Sequence, residues 1–303
     1  MSTAHFILIA SIAIPAALML GILFSALFLR RRDKRRSPLT NKVLNSPGEQ
    51  LRKDVIRHGE SYYEAAALAV AIGPITLSAW LMGRMGSVDW SSLRYGWGDA
   101  IVFGMGLAGL LWCIVKMLQA GKAWRRAKQG LEAELAVGQS LSMLQSCGAL
   151  VYHDLPTDRG NIDHIVIGQS VVFAVETKSR RKPATLGRKS AHLVYDGAAI
   201  THPGGYRETK PIEQARYQAE WLAKFLQSGL GGDAVRVVPL VALPGWYVEP
   251  PRGVRPDVLV SNCHSPQFMM GDKFGPPLGD TLRRRIAHVL EQHYPPLSLD
   301  PST

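Results

Sequence analysis

Only three cysteines occur in 303 residues, and no two are spaced as Cys-x-x-Cys. That excludes a zinc ribbon or knuckle. Cys263-His264 are adjacent, the wrong spacing for the paired zinc motifs, so no zinc is expected. A structural disulfide is not expected either, and Cys147 and Cys263 point to a reducing, cytoplasmic setting. Cys113 falls in an apolar run and reads as packing. No Lys or Arg precedes the apolar run Phe6–Leu29. A cleavable signal peptide has its positive charges first and a shorter apolar core, so this run reads as a retained anchor. Internal repeats and low-complexity segments are absent, which removes repeat architectures.

What is present divides the chain in two. Hydrophobic residues make up 47% and the formal net charge is +11. Most of the first 120 residues read as membrane, the rest as one soluble α/β domain. Residues 1–121 carry 13 Lys and Arg against 7 Asp and Glu; residues 122–303 carry 22 against 17. A soluble part this mildly basic permits a polyanionic partner without demanding one. Three apolar stretches, Phe6–Leu29, 65–82 and 100–118, are long enough to span a bilayer. The basic blocks Arg30–Arg36 and Lys116–Lys128 flank them, and the loop 83–99 is neutral. The positive-inside rule then places the N-terminus outside and both basic flanks and the C-terminal domain in the cytoplasm. The expected segments are 1–36 (first span and basic flank), 37–64 (polar cytoplasmic linker), 65–121 (second and third spans), 122–294 (soluble domain) and 295–303 (disordered tail). The expected location is the cytoplasmic membrane, multi-pass, with lipid contacted through three helices.

Within the soluble part, the periodicity predicts a helix from Lys122 to about Ser146 and a short strand Ala149–Leu155. A turn at Pro156–Asn161 follows, then strands around Ile162–Ile167 and Val171–Val175. A hairpin turning at Asp196-Gly197 comes next. A helix from Pro211 to about Ser228 buries Ala215, Ala219, Leu222 and Leu226, with Gln214 and Gln218 on the same side. Strands over Val235–Leu243 and Asp257–Ser261 and a helix through Leu282–Leu290 complete the pattern.

The stretch 160–179 stands out. Runs this rich in Ile, Val and Phe are usually buried on both faces, yet they contain Asp163, Glu176 and Lys178. A carboxylate inside such a run costs several kcal/mol unless it is paired. If the turn is a two-residue loop at Gln169-Ser170, opposite residues sum to 339, and Asp163 lies across from Glu176 with Cβ atoms roughly 5 Å apart. Like charges so placed repel, and a divalent cation converts the repulsion into coordination. Lys178 shares the face of Glu176 and can steady charge that develops in a transition state. The alternative is a set of strand-end charges exposed to solvent. His164 points to the other face and reads as a satisfied core histidine. The cluster Arg180–Lys189 borders the proposed site, either as a phosphate contact or as a solvated loop.

Helix, three strands, helix, strand, with Asp on the second strand and Glu-x-Lys closing the third, resembles the PD-(D/E)xK restriction-endonuclease-like superfamily. The wording "GNIDHIVIG", "VVFAVETKS" and "KPIEQARYQAEWL" is similar to the NERD (nuclease-related) domain over roughly residues 129–243. The resemblance implies an α/β fold, a restriction-endonuclease-like αβββαβ core with a mixed sheet flanked by helices, here preceded by three transmembrane helices. It implies a metal-dependent phosphodiesterase acting on nucleic acid, DNA ahead of RNA, with Mg²⁺ or Mn²⁺ held by Asp163 and Glu176. Lys178 matches the lysine of Glu-x-Lys, Gln214 the glutamine of the later helix, and Glu134 the acid of the first helix, a role for which Glu132 competes. The Gln-x-x-x-Tyr pattern of some nucleases reads Gln214-x-x-x-Gln218 here. Two other readings stay open: an inactive copy of the fold that binds nucleic acid or protein at the membrane, and a membrane sensor.

Overall fold

The computed structural model describes residues 44–84, 95–182, 191–251, 253 and 255–294. The first expected span with its basic flank, the tail from Pro295, and Arg188 and Lys189 lie outside them. The chain divides into two compact units. One comprises Met1–Asn41, Ser61–Gln119 and Ser298–Thr303; the other Lys42–Glu60 and Ala120–Leu297.

The described part of the first unit consists of stretches of two helices, α1 (Glu49–Arg84) and α2 (Trp97–Ser142). Both are long and apolar enough to cross a membrane. Their large apolar side chains, among them Val70, Met82, Met105, Leu111 and Leu118, stand exposed. An apolar surface of this kind marks contact with something other than water. A polar clasp joins the two helices near their facing ends. Asp99 is buried and accepts hydrogen bonds from Trp80 Nε1 (2.7 Å), Arg84 Nε (2.9 Å), Arg84 Nη2 and the Gly96 amide (2.6 Å). Farther along, a Cβ on Gly106 would come within 2.5 Å of Thr76 Oγ1. The glycine therefore allows a close helix approach, as small residues do between apolar helices.

Two expectations change here. The polar linker expected over 37–64 is helical from Glu49 onward. The third apolar stretch and the helix expected from Lys122 are one unbroken helix, α2, closed by a 3₁₀ turn at Met143–Cys147.

The second unit is built on a five-stranded mixed sheet in the order β1-β2-β3-β7-β9. These are β1 (Leu150–Thr157), β2 (Gly160–Ile167), β3 (Val172–Thr177), β7 (Val237–Ala242) and β9 (Leu259–Ser261). The first three form an antiparallel meander, and β7 and β9 add in parallel. Helix α3 (Lys210–Gly229) makes the crossover from β3 to β7, the connection a parallel neighbour requires. A smaller sheet, β6-β5-β4-β8, comprises Arg207–Glu208, Ile200–Thr201, His192–Tyr195 and Tyr247–Glu249.

Alternation along β3 fixes the layers. Val172 and Ala174 face Ala219, Leu222 and Leu226 of α3 and Ile286 and Leu290 of α4 (Asp280–His293). Phe173 and Val175 face Val137 and Leu141 of α2. The register of β2 on β3 pairs His164 with Val175 and Ile167 with Val172, a sum of 339. The Gly168 amide bonds to the Val171 carbonyl at 3.0 Å, closing the two-residue loop. Gly168 is required there, since a Cβ would lie 2.5 Å from the Met269 carbonyl oxygen.

The segment before α1 belongs to this unit. The Asp154 carboxylate on β1 accepts from the amides of Glu49 and Gln50, so a residue more than 100 positions away caps α1. Asn45 Nδ2 donates to the Asp154 carbonyl at 2.9 Å and Asn161 Nδ2 to its carboxylate. Asp154 has φ of +50°, a conformation Asp tolerates better than most residues. Pro47, Gly48 and Leu51 lie against Gly138, Leu131 and Gly130 of α2.

Candidate active site

The opposed strands β2 and β3 bring their carboxylates together because both sit on the α3 side of the sheet. Asp163 Oδ2 accepts the Thr177 amide at 2.7 Å, which ties it to the strand that carries Glu176. Glu176 is 2% exposed. Its Oε1 receives Lys178 Nζ at 2.5 Å, and Lys178 also donates to Gln214 Oε1 at 3.0 Å. Its Oε2 receives Gln218 Nε2 at 2.5 Å, and the same amide donates to the Asn161 carbonyl at 3.0 Å. Glu134 of α2 completes the floor. Its Oε2 is buried without a hydrogen-bond partner among the described residues. Glu132 is exposed and lines a different groove, so of the two acids it is Glu134 that reaches the cleft.

All of these residues except Gln218 and Glu132 line one cleft of about 430 Å³, with Arg126, Arg159 and Arg180 among its walls. All five expected residues, Glu134, Asp163, Glu176, Lys178 and Gln214, meet there. Burial, then the negative charge of Asp154 and Glu176, pushes the Glu134 carboxyl up to about 8. Burial, then Glu176 and Glu134, raises Asp163 well above the usual carboxylate range. The three acids repel one another around one lysine, while Arg126, Arg159 and Arg180 stand on the cleft walls.

Among the described residues, no three His, Cys, Asp or Glu side chains already converge at metal-ligating distances. The donor chemistry nevertheless fits a hard divalent cation. Mg²⁺ is held by one or two carboxylates and keeps several waters. Asp163 Oδ1 takes no hydrogen bond from a described residue, and Glu134 Oε2 is an orphan. Each Glu176 oxygen retains a lone pair beyond its one donor. Soft or imidazole ligands are missing from the cleft wall, which disfavours zinc or copper.

Two contributors were not picked out from the sequence. Gln218 stands where the Gln-x-x-x-Tyr pattern departs, and its role shows only once α3 packs on β3. Asp154 acts through its negative charge on Glu134, and the helix start it caps is remote in sequence. His164 lies outside the cleft, as expected for a core histidine. Its Nδ1 is 2.8 Å from His153 Nδ1, but its buried Nε2 has no partner among the described residues, so it is only half satisfied there. Burial lowers His153 to about 4 and His164 well below its ordinary value, keeping both neutral. Arg180 is fastened to the rim by Glu208 of β6, with Nε at 3.1 Å.

Residues 129–244 match the family model of the nuclease-related domain, NERD, and this segment of the chain is such a domain. It runs from the cleft-facing turn of α2 to the end of β7 and contains every expected site residue. No curated protein and no solved structure matches the chain.

Proposed function

We propose that this protein is a membrane-anchored nuclease that hydrolyses phosphodiester bonds with the help of Mg²⁺ or Mn²⁺, acting on DNA ahead of RNA from the cytoplasmic side. The observation that carries the reading is the crowding of Glu134, Asp163 and Glu176 around a single lysine in one cleft. Asp163 and Glu176 would hold the cation, and Glu134 lines the same cleft. When bound, the cation supplies Lewis acidity at a phosphoryl oxygen. Lys178 donates to the negative charge that builds on the phosphate during attack. Gln214 aims Lys178 through the 3.0 Å bond from Nζ. Gln218 holds Glu176 in place and is a positioning residue. Anchoring rests on the two long apolar helices, and orientation on the basic residues that flank them.

One observation favours the inactive module instead. Both Glu176 oxygens already accept an internal donor, as in a self-contained polar cluster. The full chain, purified in detergent, is incubated with DNA and RNA in Mg²⁺, in Mn²⁺ and in EDTA, beside Asp163→Ala and Lys178→Ala. The expected result is metal-dependent cleavage that falls at least about 10²-fold in both variants. Equal activity in all three proteins overturns the catalytic reading. No cleavage by the wild type under any condition favours the inactive module.

A further inference from the structure

The turn of α2 that follows the apolar stretch carries Lys122, Arg125, Arg126 and Lys128. Basic residues in that position ordinarily meet lipid headgroups. Here Arg126 lines the carboxylate cleft, which favours another partner. Arg126, Gly130 and Glu134 fall at i, i+4 and i+8 and so share one face of the helix. All three line the carboxylate cleft. Gly130 between them has no side chain and takes the Leu51 side chain of α1 against it, and the acid and the arginine stand about 12 Å apart along the helix axis. Beyond the rim, Arg125 and Lys128 line a neighbouring groove of about 600 Å³ that shares Gln129, Ser179 and Arg180 with the cleft. Glu132 is the one acid in that groove.

The cations around the cleft differ in how far they are already engaged. Arg180 is neutralised by Glu208, and Arg159 lies 5.2 Å over the Tyr217 ring. Arg181 Nε donates to Gln129 Oε1 at 2.7 Å. Arg125, Arg126 and Lys128 form no ion pair among the described residues. We propose that the Arg125–Gln129 turn is a phosphate track. Arg126 clamps a backbone phosphate inside the cleft, and Arg125 and Lys128 carry the same nucleic-acid strand out along the groove. The 12 Å from Glu134 to Arg126 corresponds to roughly three nucleotides of a B-form strand. The proposal rests on the nucleic-acid reading above and adds which residues bind the strand and which way it leaves.

Binding is measured apart from cleavage. The full chain in neutral detergent with EDTA is titrated against fluorescent 20-nucleotide single- and double-stranded DNA and RNA by anisotropy, over a range of salt. Each phosphate contact contributes about 0.7–0.9 to the slope of log affinity against log salt. Arg126→Ala is expected to lower the slope by about one contact, and the triple Arg125→Ala/Arg126→Ala/Lys128→Ala by two to three. Arg126→Lys retains the slope. Lys224→Ala, an exposed cation of α3 outside the cleft, leaves it unchanged. A thermal melt of each variant confirms that it is folded. A triple variant with the wild-type slope overturns the track and returns the turn to lipid. If such a variant also cleaves normally, the nuclease reading stands while the track falls. Wild-type binding lost in the triple variant, without cleavage by any protein, supports the track and sinks the nuclease. A wild type that neither binds nor cleaves overturns both.

Discussion

Glu134→Gln removes a charge from the cleft without removing volume, and its effect on stability should depend on pH. In the folded protein the Glu134 carboxyl is raised from 4.5 to about 8, chiefly by burial, then by Asp154 and Glu176. The folded state therefore holds a proton that the unfolded chain releases at lower pH. Below about 4.5 the acid is protonated in both states; as pH rises towards 8, that stability is lost. The gap corresponds to about 5 kcal/mol at about 1.4 kcal/mol per pH unit. Asp163 and Glu176 sit in the same field, and relief is shared among the three. A gain of about 2 kcal/mol for Glu134→Gln at pH 8 is the expected order. For a domain of this size that is a rise in Tm of about 4–8 °C. The assay is thermal unfolding of the full chain in detergent and EDTA, followed by tryptophan fluorescence at several values between pH 5 and 8. The difference between variant and wild type should be near zero at pH 5 and grow with pH. A difference that is independent of pH, or a variant less stable at pH 8, refutes the reasoning. It would mean that Glu134 Oε2 has a partner in solution that compensates its burial.

Two further outcomes follow from the same geometry. Gln218→Leu removes the donor that holds Glu176 Oε2 while nearly keeping the volume. The Mg²⁺ concentration needed for half-maximal cleavage should rise about 10–100-fold, as for other residues that orient a ligand, and an unchanged requirement denies Gln218 that role. Asp154→Ala uncaps α1 and should cost about 1–2 kcal/mol, together with faster proteolysis within residues 44–60. Asp154→Asn, which tolerates the positive φ and keeps an acceptor, should be milder; equal effects of the two would place the loss in the backbone.

The site was legible where chemistry and strand geometry act over short range. Asp163, Glu176 and Lys178 sit within sixteen residues, and the two-residue loop fixes their register because slipping by one would turn every side chain over. The helix carrying Gln214 and Gln218 was equally plain, since its apolar stripe repeats at helical spacing. Which glutamine touches Glu176 was not, because that depends on how α3 rotates over β3. The stretch 49–64 was misread for a different reason. Its Pro47-Gly48 start and polar composition resemble a linker, and the group that caps the helix, Asp154, lies on β1 more than 100 residues on. Arg126 was visible only as one member of a basic block. Its sharing of a face with Glu134 needed α2 to be continuous through both.

The cap on α1 also bears on the order in which the molecule can be made. Residues 44–60 leave the ribosome before the apolar stretches of α1 and α2, and about a hundred residues before Asp154, Asn161 and the strands that carry them. The start of α1 is therefore synthesised well before the groups that hold it in place. Until β1 and β2 form, the start of α1 is a loose leader whose downstream half must already commit to its apolar surroundings. The floor of the cleft, with Leu51 in its wall, closes only when that leader returns. A chain stalled or cut between residues 122 and 150 would have its apolar helices without a cleft. A fragment begun at residue 122 would have strands and acids without the turn that seals them.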